Sequence, residues 1–402
     1  MSASPEDRRP APRGTDPDDA IEPEVGMPPA EDDGEGNGDD RGMPRAGITR
    51  REAVIFGGFT IAIVVFLYFG LPRLAGFDDT WSRIREGDPL WLLACLLFEL
   101  ASFVAYVWLF RVVFLPGSHR IDWRASYQIT MAGLAATRLF AAAGAGGAAL
   151  TAWALRRSGM RARVVAVRMV AQYVLLYGVY MVTLVLVGIG LHEGVLGGGD
   201  DFAITMVPAI FGAVVIVVAL AFTLVPTQID RTLERWAGGG GGRWAGLLVS
   251  LAKAPAAVSG GVREALRIVR RRDGGVTGAV LWWYLDIATL WAAFHAFGMA
   301  PPFFVIVMGY FVGMLGNLLP LPGGIGGVDG GMIGAFVAFG VPFSLATVAV
   351  LTYRAFAFWL PTIPGAIAYL QLRGTVARWR EEGVEEGAPA RVPAQAGSLP
   401  AL

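Results

Sequence analysis

The sequence has little of what a soluble enzyme of its length uses. Cysteine occurs once, at Cys95, which excludes an intramolecular disulfide framework and a Cys-rich metal site. Histidine occurs three times, scattered as His119, His192 and His295, so a His-based zinc centre is not expected and no metal is assigned. Charged residues make up only 16% of the 402 residues, against roughly 25% in soluble proteins. There is no Gly-Lys-Ser/Thr phosphate loop, no other cofactor motif is recognised, and nothing points to nucleic acid.

What is present is apolar: 54% of the chain. The formal net charge of zero conceals an asymmetry. Residues 1–44 hold 4 Arg and 13 Asp or Glu, and residues 45–402 hold 29 basic and 20 acidic residues. The first segment, rich in Asp, Glu, Pro and Gly, reads as a disordered acidic tail and not as a signal peptide. A membrane domain over residues 45–372 and a C-terminal tail over 373–402 complete the expected organisation.

Ala53–Pro72 carries no charge for twenty residues, enough to cross ~30 Å of hydrocarbon at 1.5 Å per residue. Comparable runs follow at Pro89–Leu115, Tyr127–Thr151, Val164–Leu191, Phe202–Val225, Val276–Ala300, Pro302–Val341 and Phe343–Leu372. Backbone groups in hydrocarbon must be satisfied within a segment, so the chain is expected to be all-α.

Arginine placement sets the orientation. Arg45, Arg50 and Arg51 precede the first span, Arg156–Arg163 holds four Arg, and Arg373, Arg378 and Arg380 follow the last span. The connector at residues 226–275 has nine basic residues against four acidic, with an amphipathic stretch at 263–272 expected on the inner leaflet. These sites belong inside, and His192–Asp201, without Lys or Arg, belongs outside. Both termini are then cytoplasmic, in a bacterial inner membrane. Parity forces Tyr127–Thr151 and Pro302–Val341 each to enter and leave on one side. Each is broken by glycine, at Gly144-Ala145-Gly146-Gly147 and at Gly323-Gly324-Ile325-Gly326-Gly327. The expected fold is six full spans plus two opposed re-entrant hairpins, with short full spans as the alternative to re-entry. The two halves read as an inverted repeat, a plan that places a transporter's site near the midplane.

Charge at membrane depth costs roughly 2.5–3.5 kcal/mol per residue and so marks a site or a structural pair. The candidates are Glu99, Arg138, Asp286, Asp329 and Arg354, with Arg168 nearer the cytoplasm. Arg138 and Arg354 could hold a lipid phosphate, aided by the glycine-exposed N–H groups of Gly144, Gly146, Gly147, Gly323, Gly324, Gly326 and Gly327. Alternatively, Arg354–Asp329 and Arg138–Glu99 are ion pairs joining helices. Glu99, Asp286 and Asp329 are the proton-carrying candidates.

Pro320-Leu321-Pro322-Gly323-Gly324-Ile325-Gly326-Gly327-Val328-Asp329, followed by Gly340, Arg354 and Pro364-Gly365, resembles a conserved block of the lysylphosphatidylglycerol synthase transmembrane-region family, also called flippase-like. Arg156-Arg157-Ser158-Gly159 fits a second family pattern. The first hairpin departs from it: Ala145 and Ala148 stand where the family carries Arg and Glu, leaving Arg138 as the substitute. The resemblance implies movement of a membrane phospholipid or polyprenyl-linked lipid across the inner membrane. No synthase domain follows Leu372, so the translocase half alone is expected. The rivals are a membrane-embedded lipid or glycolipid transferase and a non-catalytic partner of a lipid or glycan synthase.

Overall fold

A computed structural model of the chain describes residues 87–116, 121–139, 145–197, 201–224, 243–318 and 324–387. The acidic tail, the first span Ala53–Pro72, Gly238–Gly242, Gly144 and Gly323 lie outside the described residues.

Every regular element among them is helical: α1 (Pro89–Phe114), α2 (Trp123–Leu139), α3 (Ala145–Arg157), α4 (Ala162–His192), α5 (Phe202–Ala221), α6 (Arg243–Arg271), α7 (Gly275–Ala296), α8 (Phe303–Met314), α9 (Gly327–Ala338), α10 (Phe343–Arg354) and α11 (Thr362–Gly387). Five of the six expected full spans fall here, and all five are helices long and apolar enough to cross a membrane; the fifth is the continuous run Phe343–Arg380. Their entry points are chemically marked. Asp88 caps α1 by accepting from the Leu90 amide at 2.8 Å, with Pro89 in the first position. Asp201 caps α5 through the Ala203 amide, also at 2.8 Å.

α1 and α7 form the central pair and run antiparallel along their whole length. At one end the Asp88 amide donates to the Ala296 carbonyl at 2.9 Å. At the other, Gly278 lets α7 close on α1: a Cβ there would sit 3.2 Å from the Ala105 carbonyl oxygen. Each central helix leads into a broken hairpin, α2/α3 after α1 and α8/α9 after α7. Because the parent helices are antiparallel, the hairpins start from opposite ends of the pair, as an inverted repeat requires.

Both hairpins close through glycine. A Cβ on Gly147 would lie 2.3 Å from the Gly133 carbonyl oxygen, and one on Gly316 would lie 2.3 Å from the Gly327 carbonyl. The arms are short. α2 and α3 have 17 and 13 residues, and α8 and α9 have 12 each, with a 3-10 turn at Leu315–Leu318 extending α8. At 1.5 Å per residue the α-helical arms reach about 18–26 Å, less than ~30 Å of hydrocarbon.

A long helix follows each hairpin and lies on the first arm of the other hairpin. α4 packs on α8, where the Tyr180 hydroxyl donates to the Phe311 carbonyl. α11 packs on α2, where Thr375 Oγ1 donates to Gln128 Oε1 at 2.7 Å and a Cβ on Gly365 would meet the Met131 carbonyl oxygen at 2.8 Å. Apolar side chains cover the outside. α5 buries only Thr205, Pro208, Ala209 and Gly212, while Val207, Ile210, Val214 and Val217 are exposed, as on a helix solvated by lipid.

One boundary and one placement differ from expectation. The final helix continues past Leu372 to Gly387, and Val376 and Trp379 are buried, so part of the expected tail belongs to the packed body. The connector forms α6, and its apolar residues Val262, Ala265 and Ile268 are buried in protein. Gly260 and Gly261 press against Val167 and Val170 of α4, so the face expected on the inner leaflet is largely taken by the membrane domain itself. Its polar side stays wet: Arg267 pairs with Glu264 on the surface, and Arg263 reaches the Thr223 carbonyl at 2.8 Å.

Candidate functional site between the hairpin tips

Glu99 is the eleventh residue of the 26 in α1, and Asp286 the twelfth of the 22 in α7. The antiparallel pairing therefore brings the two acids together halfway along both helices. Both are buried, at 1% and 7% exposure. Their carboxyl groups interact electrostatically across the helix pair. Thr289 Oγ1 approaches Glu99 Oε2 at 3.4 Å. Asp286 Oδ2 accepts from the hydroxyls of Tyr310, on α8, and Tyr353, on α10, the latter at 2.9 Å.

Two arginines, from the first hairpin and from α10, approach the same aromatic ring. Arg138, at the tip end of α2, donates to the Phe358 carbonyl at 3.3 Å, with its guanidinium 5.6 Å from the Phe358 ring centre. The Arg354 guanidinium lies 4.6 Å from the same ring. Arg354 Nε is 2.6 Å from Asp329 Oδ1. That contact is an ion pair whose angle is not that of a hydrogen bond, so buried Asp329 Oδ1 has no aligned donor. Asp329 Oδ2 accepts from the Gly326 amide at 2.9 Å, the acid's half of a capping box at the start of α9, where the glycine N-cap has no side chain to supply the other half. Gly326 adopts φ 84°, where glycine carries no steric penalty.

Phe358 sits in a π-helical turn, Ala355–Trp359, between α10 and α11. Pro361, two residues beyond the turn, has no amide to continue the ladder. A π-turn of this kind re-aims side chains and carbonyls within a helix, and here the Phe358 carbonyl accepts from both Arg138 and Thr362 Oγ1.

The expected residues thus separate into groups. Arg138, Arg354 and Asp329 converge around Phe358, and Arg138 also interacts electrostatically with Glu99, Asp286 and Arg354. The Arg354–Asp329 pair is present. No direct ion pair joins Arg138 to Glu99; the guanidinium is turned onto the Phe358 carbonyl instead. Arg168 is elsewhere, donating to the Phe114 carbonyl at 3.0 Å at the end of α1. Gly147 and Gly327 are occupied in the hairpin crossings, and a Cβ on Gly324 would strike Asn317 Oδ1 at 2.4 Å, whereas Gly326 and its amide flank Asp329 in open space. Gly146 is partly buried near the start of α3.

Sequence reasoning missed Tyr310, Tyr353 and Phe358. A tyrosine inside an apolar span was the available signal for the first two, since a buried hydroxyl needs a partner. It also missed a cavity of about 40 Å³ beside the first hairpin, lined on its polar side by Tyr106, Thr130, Thr137, Thr151, Gln172 and Tyr173. Thr130 Oγ1 is buried there without a hydrogen-bond partner. At roughly 10–15 Å³ of such volume per water, the space holds about three waters, giving α2 a polar flank within the membrane domain.

Against known proteins, the chain matches the family described as the lysylphosphatidylglycerol synthase transmembrane region over residues 55–365. It is 24% identical over 335 residues to a UPF0104 membrane protein of Methanothermobacter thermautotrophicus, covering 78% of this chain and 94% of that protein. Two further UPF0104 membrane proteins of the same organism match shorter stretches, 39% identical over 90 residues and 36% over 87, about a quarter of their lengths. The chain is a multi-pass membrane protein and belongs to the lysylphosphatidylglycerol synthase transmembrane-region family.

Proposed function

We propose that this protein translocates a lipid with an anionic headgroup across the cytoplasmic membrane, the phosphate passing between the hairpin tips and held there by Arg138 of the first hairpin and Arg354 of α10, beside Asp329 of the second. The observation that carries this reading is the convergence on one aromatic ring of Arg138, from the first hairpin, and Arg354, from α10, whose partner Asp329 belongs to the second hairpin. A phosphate offers what each arginine seeks: bidentate acceptance of its guanidinium fork. Arg354 would exchange Asp329 for the phosphate, and Arg138 would exchange the Phe358 carbonyl. Asp329 thereby keeps Arg354 neutralised between turnovers, because an unpaired guanidinium at this depth costs several kcal/mol. The glycine-closed hairpins leave short arms rather than full spans, which brings helix ends and their dipoles to the headgroup path.

The substrate is a membrane phospholipid or a polyprenyl-linked lipid, and both termini lie in the cytoplasm. The test is reconstitution in phosphatidylcholine vesicles containing a fluorescent phosphatidylglycerol that dithionite quenches from outside. Wild-type protein is expected to move the probe between leaflets faster than protein-free vesicles. Equal rates for this and for other anionic probes, phosphatidic acid and a polyprenyl phosphate, would remove the proposal.

A further inference from the structure

Headgroup binding by the two arginines gives no role to one buried cluster, the Glu99–Asp286 pair. Acids at membrane depth ordinarily face a base. These two face each other. Around them stand Cys95 and Thr289 on their own helices, Tyr310 from α8, Tyr353 from α10 and Arg138 from α2, while Arg354, next to Tyr353 in the chain, faces Asp329 of α9. Arg138 donates to the Phe358 carbonyl, and Arg354 pairs with Asp329. The two tyrosine hydroxyls donate to Asp286 rather than accept from it, so the shell around the pair presents donors to an anion. Among the described residues, no group of three or more His, Cys, Asp or Glu gathers to hold a metal ion. Two neighbouring buried carboxyls, Glu99 reached by Thr289 from the turn after Asp286 and Asp286 accepting from two tyrosines, are costly to ionise together, which suits the pair to hold a proton.

The charges explain why a proton is useful here. Arg138 and Arg354 contribute two positive charges and Asp329 one negative. With one proton shared, Glu99 and Asp286 contribute one more negative charge, and the buried cluster is neutral. A lipid phosphate carrying one negative charge breaks that neutrality inside a low-dielectric region, where uncompensated charge is costly. A second proton on the acid pair restores it.

We infer that Glu99 and Asp286 form a proton site that takes up a second proton when an anionic headgroup is held by Arg138 and Arg354, so that lipid and proton move together, one for one. The proton comes from water on the side where the headgroup enters, occupies the free carboxylate oxygen of the pair, and is released to water when the headgroup leaves. The transfer is electroneutral and consumes no other reactant. The inference takes its anion from the translocation reading, while its proton site rests on the acid pair alone.

Two measurements separate these parts. The first is infrared spectroscopy of the purified full-length protein at neutral pH. A protonated-carboxyl C=O band that shifts in D2O is expected, lost in Glu99→Gln and in Asp286→Asn. Tyr310→Phe, which keeps both acids and removes one donor, is expected to move the band, so the assignment survives if an acid variant fails to fold. Absence of the band in wild type, or its survival unchanged in every variant, overturns the proton site. The second is the leaflet distribution of the phosphatidylglycerol probe in phosphatidylcholine vesicles under an imposed pH gradient. One-to-one coupling drives accumulation of the probe in the leaflet facing the alkaline side, approaching tenfold per pH unit, or about 1.4 kcal/mol. Asp286→Asn and Glu99→Gln are expected to equilibrate the probe without accumulation. A wild-type protein that moves the probe to the same distribution with and without the gradient overturns the coupling. If wild type moves no anionic probe, the translocation reading fails and the infrared band decides the proton site by itself.

Discussion

Asp329 is held at both oxygens, by the Gly326 amide on one side and the Arg354 guanidinium on the other. This makes it the most constrained of the buried acids and separates it from Glu99 and Asp286, with which the sequence alone groups it as a proton carrier. Asp329→Asn keeps the size and the cap acceptor but leaves Arg354 without its counter-charge. Breaking a buried pair from one side typically costs roughly 3–5 kcal/mol. Thermal unfolding in detergent is expected to show a Tm well below wild type, largely restored in a double variant that also carries Arg354→Gln. An unchanged Tm in Asp329→Asn would mean that the pair contributes nothing to stability. For transport, Arg138→Gln and Arg354→Gln each remove a charge-assisted contact worth about 1.5–3 kcal/mol, so initial rates of probe movement should fall by about 10-fold to 100-fold. These residues were legible in the sequence because charge in an apolar span stands out. Phe358 was not: nothing marks one phenylalanine among 23 as the ring that two arginines share, and the π-turn that presents it, packed against α1 and α7, exists only in the folded chain.

The hairpins were readable as elements. Glycine runs in the middle of Tyr127–Thr151 and Pro302–Val341 placed the breaks, and the arms fold on either side of them. The glycines that close the crossings lay partly elsewhere, at Gly133, Gly313 and Gly316 within the arms, where only the facing helix reveals the need for a missing side chain. This yields a paired prediction. Gly316→Ala would drive a methyl into the Gly327 backbone and should destabilise the fold by about 1–3 kcal/mol. Gly334→Ala, on α9 with nothing within 4 Å of the added carbon, should be neutral or stabilising by about 0.5–1 kcal/mol through helix propensity. Equal Tm values for the two variants would contradict the crossing geometry. The connector shows the opposite failure of reading. Its amphipathic pattern announced an apolar face but not the surface that face would meet, and α4 took the place assigned to the leaflet. The last helix outran its expected end for a related reason: Arg373, Arg378 and Arg380 mark where hydrocarbon stops, not where hydrogen bonding stops.

For the molecule as a whole, the antiparallel α1/α7 pair fixes the arrangement on which the function depends. Charge parity along the chain implied it, but the meeting of Glu99 with Asp286, 187 positions apart, exists only in three dimensions. Opposed hairpins make a sidedness prediction for single cysteines in a Cys95→Ala background. Arg124→Cys and Arg161→Cys, beside the ends of the first hairpin, should react with an impermeant maleimide from the cytoplasm. Met299→Cys and Phe343→Cys, beside the ends of the second, should react from outside. Labelling of all four from one face would undo the inverted repeat.

The central claim is that a headgroup travels between the tips, and it can be tested by covalent capture. A phosphatidylglycerol with a photoreactive headgroup, irradiated in vesicles with the protein and mapped by mass spectrometry, should label peptides containing Arg138, Asp329 and the Arg354–Phe358 turn. That labelling should fall when Arg138 and Arg354 are both replaced by Gln. Labelling confined to the outward apolar face of α5, around Val214 and Val217, and insensitive to the arginines, would contradict the account.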